Sequence, residues 1–180
     1  MDMNEGGAVP DDSFALTQVT VRDCEPSQFP AFRDLNLAWI RRYFEVEAKD
    51  RALLNDPNTG VLEPGGIILV ATWTAADGEQ QASPQPLVVG TCALLRDGDG
   101  SVLQLAKMAV DERFLGKQIG KLLGLAAIER ARRAGASSLR LETNSKLTPA
   151  IRLYEKLGFA PMPARESAYA RADVHMVMQL

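Results

Sequence analysis

LQLAKMAVDERFLGKQIG, residues Leu103–Gly120, is the stretch on which the reading of the fold turns. Leu103, Leu105, Met108 and Val110 give the burial pattern of a strand, and Asp111 to Arg113 breaks it. A loop punctuated by Gly116 and Gly120 then opens into the apolar-periodic run Lys121 to Ile128. A strand that feeds a helix through small residues leaves backbone N–H groups at the helix start without intrahelical acceptors. Together with the helix dipole they favour an anion, above all a phosphate. The local alternative is that Gly116 and Gly120 serve only turn and packing needs. Two nucleotide motifs are excluded: Gly120-Lys121 is followed by Leu122, not Ser or Thr, and the three glycines of a G-x-G-x-x-G fingerprint are missing.

The 180 residues suit one domain, read as 14–180 behind a disordered acidic tail over 1–13 that has no signal-peptide character. Apolar residues make up 46% and charged residues 24%, ordinary for a soluble globular protein, and no run of about 18 apolar residues predicts a membrane span. Cys24 and Cys92 form no C-x-x-C and read as buried reduced thiols of a cytoplasmic protein. With His175 the only histidine, no metal site is expected. The net charge of −3 is unevenly spread: residues 1–104 are acidic, and residues 105–158 hold 11 Lys and Arg against 5 Asp and Glu. The basic block coincides with the anion loop and suits a polyanionic small ligand or a solvated helix surface. Nucleic acid is not expected, because no aromatic stacking pattern accompanies the block.

Along the chain, Leu16–Val21 alternates as a first strand, and Ala31–Glu47 has helical spacing with aromatics that either cover a core or line a pocket. Asp50–Leu54 suggests one further helical turn. Strands are predicted at Ile67–Trp73, Pro86–Leu95 and Ser101–Val110, with Ala75–Gln85 a hairpin loop and Asp97-Gly98-Asp99-Gly100 a hairpin turn. A helix over Lys117–Ala134 ends at Gly135. A fifth strand, Ser138–Glu142, lies parallel to the fourth if that helix is a crossover. Thr148-Pro149 reads as an N-cap and N1 proline of a helix ending at Gly158, before strands at Phe159–Met162 and Val174–Leu180.

LAKMAV, the glycine loop and helix, LETNSKLTPAIRLYEKLGF and YARADVHM together resemble the GNAT superfamily of acetyl-CoA-dependent N-acetyltransferases. The resemblance runs from about Phe29 to the end. It extends to a bacterial subgroup of small stand-alone enzymes, some of whose relatives are fused to a MarR-type winged helix. It implies an α/β fold with a mixed sheet of about seven strands, flanking helices, and a fourth and fifth strand that splay apart. The pantetheine arm of acetyl-CoA would lie in that gap on the backbone of Met108, Ala109 and Val110. Its pyrophosphate would rest on Leu115, Gly116, Lys117, Gln118, Ile119, Gly120 and Lys121, Asn144 would hydrogen-bond the arm, and Tyr154 would protonate the departing thiolate. On the residues alone, Tyr154 is equally a core tyrosine and Asn144 a turn residue.

Two departures stand out from the family pattern Arg/Gln-x-x-Gly-x-Gly/Ala. Leu115 occupies its first position and Gln118 its first glycine, which predicts weaker cofactor binding. Gln104 stands where the subgroup often has glutamate and cannot act as a base. The remaining candidates for the base are Glu142, Glu45, Glu47 or a water relay. No covalent intermediate is expected from either cysteine. Tyr43 on the first helix is a candidate substrate contact, and Arg171, Arg41 or Arg42 could hold a substrate carboxylate. The implied activity is acetyl transfer to a primary amine of a small molecule or amino acid. The alternatives are a protein lysine or N-terminal acetyltransferase and an acyl-CoA sensor without turnover. A homodimer is a candidate assembly that no stretch locates.

Overall fold

The computed structural model describes residue 15, residues 18–74 and residues 86–180. The expected tail over 1–13, the opening residue Leu16 of the first expected strand and the Ala75–Gln85 loop lie outside the described residues. The chain forms β1 (Val19–Asp23), α1 (Phe29–Tyr43), α2 (Ala48–Asn55), β2 (Ile67–Trp73), β3 (Leu87–Asp97), β4 (Val102–Val110), α3 (Ile119–Arg133), β5 (Ser138–Thr143), α4 (Thr148–Leu157), β6 (Ala160–Pro161) and β7 (Val174–Gln179). The seven strands make one sheet in the order β1-β2-β3-β4-β5-β7-β6. Every described neighbour pair is antiparallel except β4 and β5, which α3 joins as a crossover.

The sheet is covered on both faces, which is why β2 reads as a nearly unbroken apolar run. Leu69, Leu94, Leu105 and Leu139 pack with Ile119, Leu123, Ala127 and Ala131 of α3 on one face. Ile68 and Ala93 turn to the other face and meet Phe32 and Ile40 of α1 and Leu53 and Leu54 of α2. These buried side chains, each withdrawn from water at about 25 cal/mol per Å² of apolar surface, fix which face of the sheet each helix covers. The helix α3 packs closely on α4: a Cβ on Gly124 would stand 2.4 Å from Leu157 Cδ1.

Three boundaries differ from the sequence reading. The first strand is displaced to Val19–Asp23, where register with β2 pairs Val21 with Ala71. The suggested turn at Asp50–Leu54 is a full helix, Ala48–Asn55, because the Asp50 carboxylate accepts the Glu47 N–H at 3.1 Å and closes its first turn. The α4 cap is Leu147, not Thr148; Thr148 is already helical, and no side chain caps the helix.

Candidate active site

β4 and β5 pair only over Val102–Leu105 and Ser138–Leu141. β4 continues to Val110 and β5 to Thr143 without a partner across the gap. A β-bulge makes the strands part. Between the pairs Thr91–Ala109 and Ala93–Ala106 two residues of β4, Lys107 and Met108, face Cys92 alone. Lys107 takes φ 52°, unusual for a residue with a side chain. The bulge is held from below by a buried polar chain. Asn36 of α1 donates to Thr91 Oγ1 at 3.0 Å, and the Thr91 hydroxyl donates to the Lys107 carbonyl at 3.2 Å.

The opening is a cavity of about 230 Å³ lined among others by Met108, Val110, Leu115, Gly120, Asn144 and Tyr154. The structure thus brings together the expected strand-four residues, the loop and the tyrosine. Ala109 is 2% exposed and faces the core, and Ile119 is buried there too, so both could serve the cavity through backbone only. At the mouth, Gly116 adopts φ 76° and Gln118 φ 62°, the latter directly before α3. No side chain caps α3, so its first-turn N–H groups lack an intrahelical acceptor, with Lys117 and Lys121 alongside. That is a fitting cradle for a diphosphate. Leu115 is 54% exposed and offers it no hydrogen bond.

The Tyr154 phenol lies 4.0 Å from Met108 Sδ and edge-on to Phe159, with centroids 6.0 Å apart. Burial, aided by Cys92, pushes its pKa up to about 12, so it stays protonated. Glu142 is the first β5 residue beyond the paired segment. Its Oε2 accepts the Ser167 hydroxyl at 2.6 Å, and its Oε1 lies 3.9 Å from His175 Nδ1. Glu142, Gln104 and Tyr169 also line a second cavity of about 470 Å³, walled by Ala52, Leu53 and Gly60 of the α2 region and Ala168. The two cavities therefore meet at Glu142.

Three of the expected residues have partners within the chain. Asn144 lines the first cavity; its amide donates to the Arg171 carbonyl at 2.6 Å and its oxygen accepts the Lys146 N–H at 2.9 Å, which ties the last loop down. Arg171 is bidentate on Asp50, at 2.8 Å to each oxygen, and 2.9 Å from Glu47, so its fork is occupied from within. Tyr43 is 46% exposed, stacks near Trp39 at 5.4 Å and lines neither cavity; Trp39 and Phe44 do line the first. Arg42 is paired with Glu112. Asp50 and Lys107 were not foreseen as part of the site. Lys107 left one trace in the sequence, as the lone charge within the strand LQLAKMAV.

Neither cysteine is poised as a nucleophile, since burial pushes Cys24 up to about 11 and Cys92 up to about 12. Among the described residues no group of three or more His, Cys, Asp or Glu could hold a metal ion, and no helix is long and apolar enough to cross a membrane.

A mixed sheet that parts between two parallel strands, with an uncapped helix start at the mouth, defines the acyl-CoA N-acyltransferase class of fold. Solved structures agree: an acetyltransferase of the GNAT family from Staphylococcus aureus has TM-score 0.71 at 20% identity, covering 89% of this chain and 98% of that one. The yncA protein of Salmonella typhimurium, solved with its cofactor acetyl-CoA, has TM-score 0.64 at 18% identity over 90% and 94%. Residues 30–159 match the acetyltransferase (GNAT) family, and the chain belongs to it. Among curated relatives, N-acetylaspartate synthetase of Mus musculus is 38% identical over 79 residues, 44% of this chain and 26% of that protein. The N-acetyltransferase YvbK of Bacillus subtilis is 32% identical over 117 residues, 63% and 67% respectively. The match thus spans about a quarter of the length of the N-acetylaspartate synthetases.

Proposed function

We propose that the protein transfers the acetyl group of acetyl-CoA to a primary amine of a small molecule or amino acid, by direct attack in a ternary complex. The observation that carries this reading is the parting of β4 and β5 after Leu105 and Leu141, with Tyr154 and Glu142 on its walls. When bound, acetyl-CoA supplies a thioester activated toward nucleophiles. The unpaired edge of Met108, Ala109 and Val110 suits an extended pantetheine arm as an added strand. The N-terminal turn of α3, with Gly116 to Lys121, suits the diphosphate.

The remaining roles follow from position. Glu142, shared by both cavities and oriented by Ser167, takes the proton that the amine loses as its C–N bond forms. A backbone N–H at the bulge near Met108 polarises the thioester carbonyl. Tyr154 gives its phenolic proton to the thiolate as the C–S bond breaks, and proton balance is restored through solvent. Gln104 can orient the amine but not deprotonate it.

The test is coenzyme A release with alkylamines, amino acids and a lysine peptide, beside calorimetric titration with acetyl-CoA. The name of the N-acetylaspartate synthetases keeps amino acids on that panel. Turnover on a small amine is expected. Turnover confined to the peptide would make this a protein acetyltransferase, saturable binding without any turnover would assign a sensor, and no binding heat at all would overturn the reading.

A further inference from the structure

The second cavity has walls of Ala52, Leu53, Gly60, Leu95 and Ala168 and meets the first at Gln104, Glu142 and Tyr169. Its chemistry is decided by which charges remain for a ligand. Among the described residues lining either cavity, the cations are Lys49, Lys107 and Arg171. Lys107 is bound to Asp50 at 2.6 Å and to the Tyr169 hydroxyl at 3.1 Å. Arg171 is bound to Asp50 and Glu47. The Asp50 carboxylate takes four donors at once: Lys107, both Arg171 Nη groups and the Glu47 N–H. Its side chain is fully buried and has nowhere to swing. Lys49 is exposed, and Asp56 shares the lining with it.

An amine placed against Glu142 is thus well matched, and an α-carboxylate is not. That carboxylate would sit beside the nitrogen, close to the Glu142 charge, where Lys107 and Arg171 are already paired with Asp50 and Glu47 and the exposed Lys49 ammonium, screened by water, is worth little to it. We infer that the second cavity is the acceptor pocket and that it takes amines whose remaining groups are uncharged and largely apolar, such as arylalkylamines or amino-acid amides, in preference to amino acids. This deepens the acetyltransferase reading and rests on it for the reaction, though not for the pocket.

The test uses a matched set: phenethylamine, phenylalaninamide and phenylalanine. Phenethylamine and phenylalaninamide are expected to show kcat/KM at least about tenfold above phenylalanine, the effect of one unmatched charge. Phenylalanine as the equal or better substrate overturns the inference. A second readout needs no turnover. With coenzyme A present, phenethylamine should raise the melting temperature and phenylalanine should not. Ala52→Phe, and separately Ala168→Phe, both at exposed lining positions, should remove that rise and leave acetyl-CoA binding in place. A rise that survives both variants places the amine elsewhere and sinks the pocket assignment. The selective rise without acetyl transfer to any amine would sustain the pocket and defeat the enzymatic reading.

Discussion

Lys107 Nζ and Asp50 Oδ1 are 2.6 Å apart, with side chains only 5% and 0% exposed. The pair ties the β4 bulge to the start of α2, and Arg171 extends it to the segment before β7. Three chain segments distant in sequence thus converge on one carboxylate, and each contributes residues to the cavities. Such a pair is costly to assemble from water and costly to break.

Replacing that carboxylate is the sharpest test of how the site is held. Asp50→Asn leaves Lys107 without a buried counter-charge and Arg171 with Glu47 alone, and should lower stability by about 3–5 kcal/mol. Urea denaturation would measure it, and a loss under about 1 kcal/mol, the value of an exposed pair, would contradict the network. The same carboxylate sets a pH dependence. Burial alone would raise the Asp50 pKa, but hydrogen bonds from Arg171 and Lys107, the Lys107 charge and the Glu47 amide outweigh it, and the pKa is lowered. A lowered folded pKa stabilises fully above the unfolded value of about 3.9, and the contribution is lost as pH falls through the folded one. Acid denaturation below about pH 4 should therefore be less steep in Asp50→Asn than in the parent.

Tyr154→Phe removes one hydroxyl and keeps the ring against Phe159. It should lower kcat by about a hundredfold, the usual worth of a positioned acid, with acetyl-CoA affinity unchanged by calorimetry. Equal losses in kcat and affinity would reassign the tyrosine to packing. Because its folded pKa lies at about 12, above the unfolded value, its contribution to stability is complete below about pH 10 and is lost as pH rises through the folded pKa. An alkaline limb in kcat near neutrality must then come from another group.

For Glu142 the expectation is separable. Glu142→Gln keeps the size and the acceptor for Ser167 Oγ, but cannot take a proton. A fall in kcat of about a hundredfold or more is expected, with acetyl-CoA binding retained. Full activity in this variant would favour the water relay.

The periodic elements were legible in the sequence: β2, β3, β4, α3 and β5 all fall within a few residues of the patterns of Ile67–Trp73, Pro86–Leu95, Ser101–Val110, Lys117–Ala134 and Ser138–Glu142. Local burial decides such elements, and local pattern reports it. The residues expected on the cofactor side, Met108 to Lys121, could be grouped for the same reason, since they form one contiguous stretch. The ion pairs behind the cavities were not legible. Asp50 meets Lys107 across 57 residues and Arg171 across 121, and no periodicity encodes such a meeting. The sequence shows Arg171 only as a cation able to hold a carboxylate, and the carboxylates it holds are Asp50 and Glu47. Tyr43 follows the helix period, yet as the last residue of α1 it is 46% exposed and lines neither cavity.

The mouth loop carries its own prediction. Gln118 holds a left-handed conformation that costs a side-chain-bearing residue about 1–2 kcal/mol. Gln118→Gly removes that cost and adds about 0.5–1 kcal/mol of backbone entropy loss on folding, so stability should change by less than about 1 kcal/mol. The missing β-carbon should let a diphosphate approach the α3 amides more closely, and acetyl-CoA should bind more tightly. Leu115 is exposed enough for Leu115→Arg to be accepted without repacking. One charge-assisted hydrogen bond from that arginine is worth about 1.5–3 kcal/mol, a Kd lowered by about tenfold or more, with a steeper weakening as salt is raised. Calorimetric titration at two salt concentrations would measure both effects. If neither variant tightens binding, the diphosphate does not rest on this loop, and the helix start must be relieved of that role.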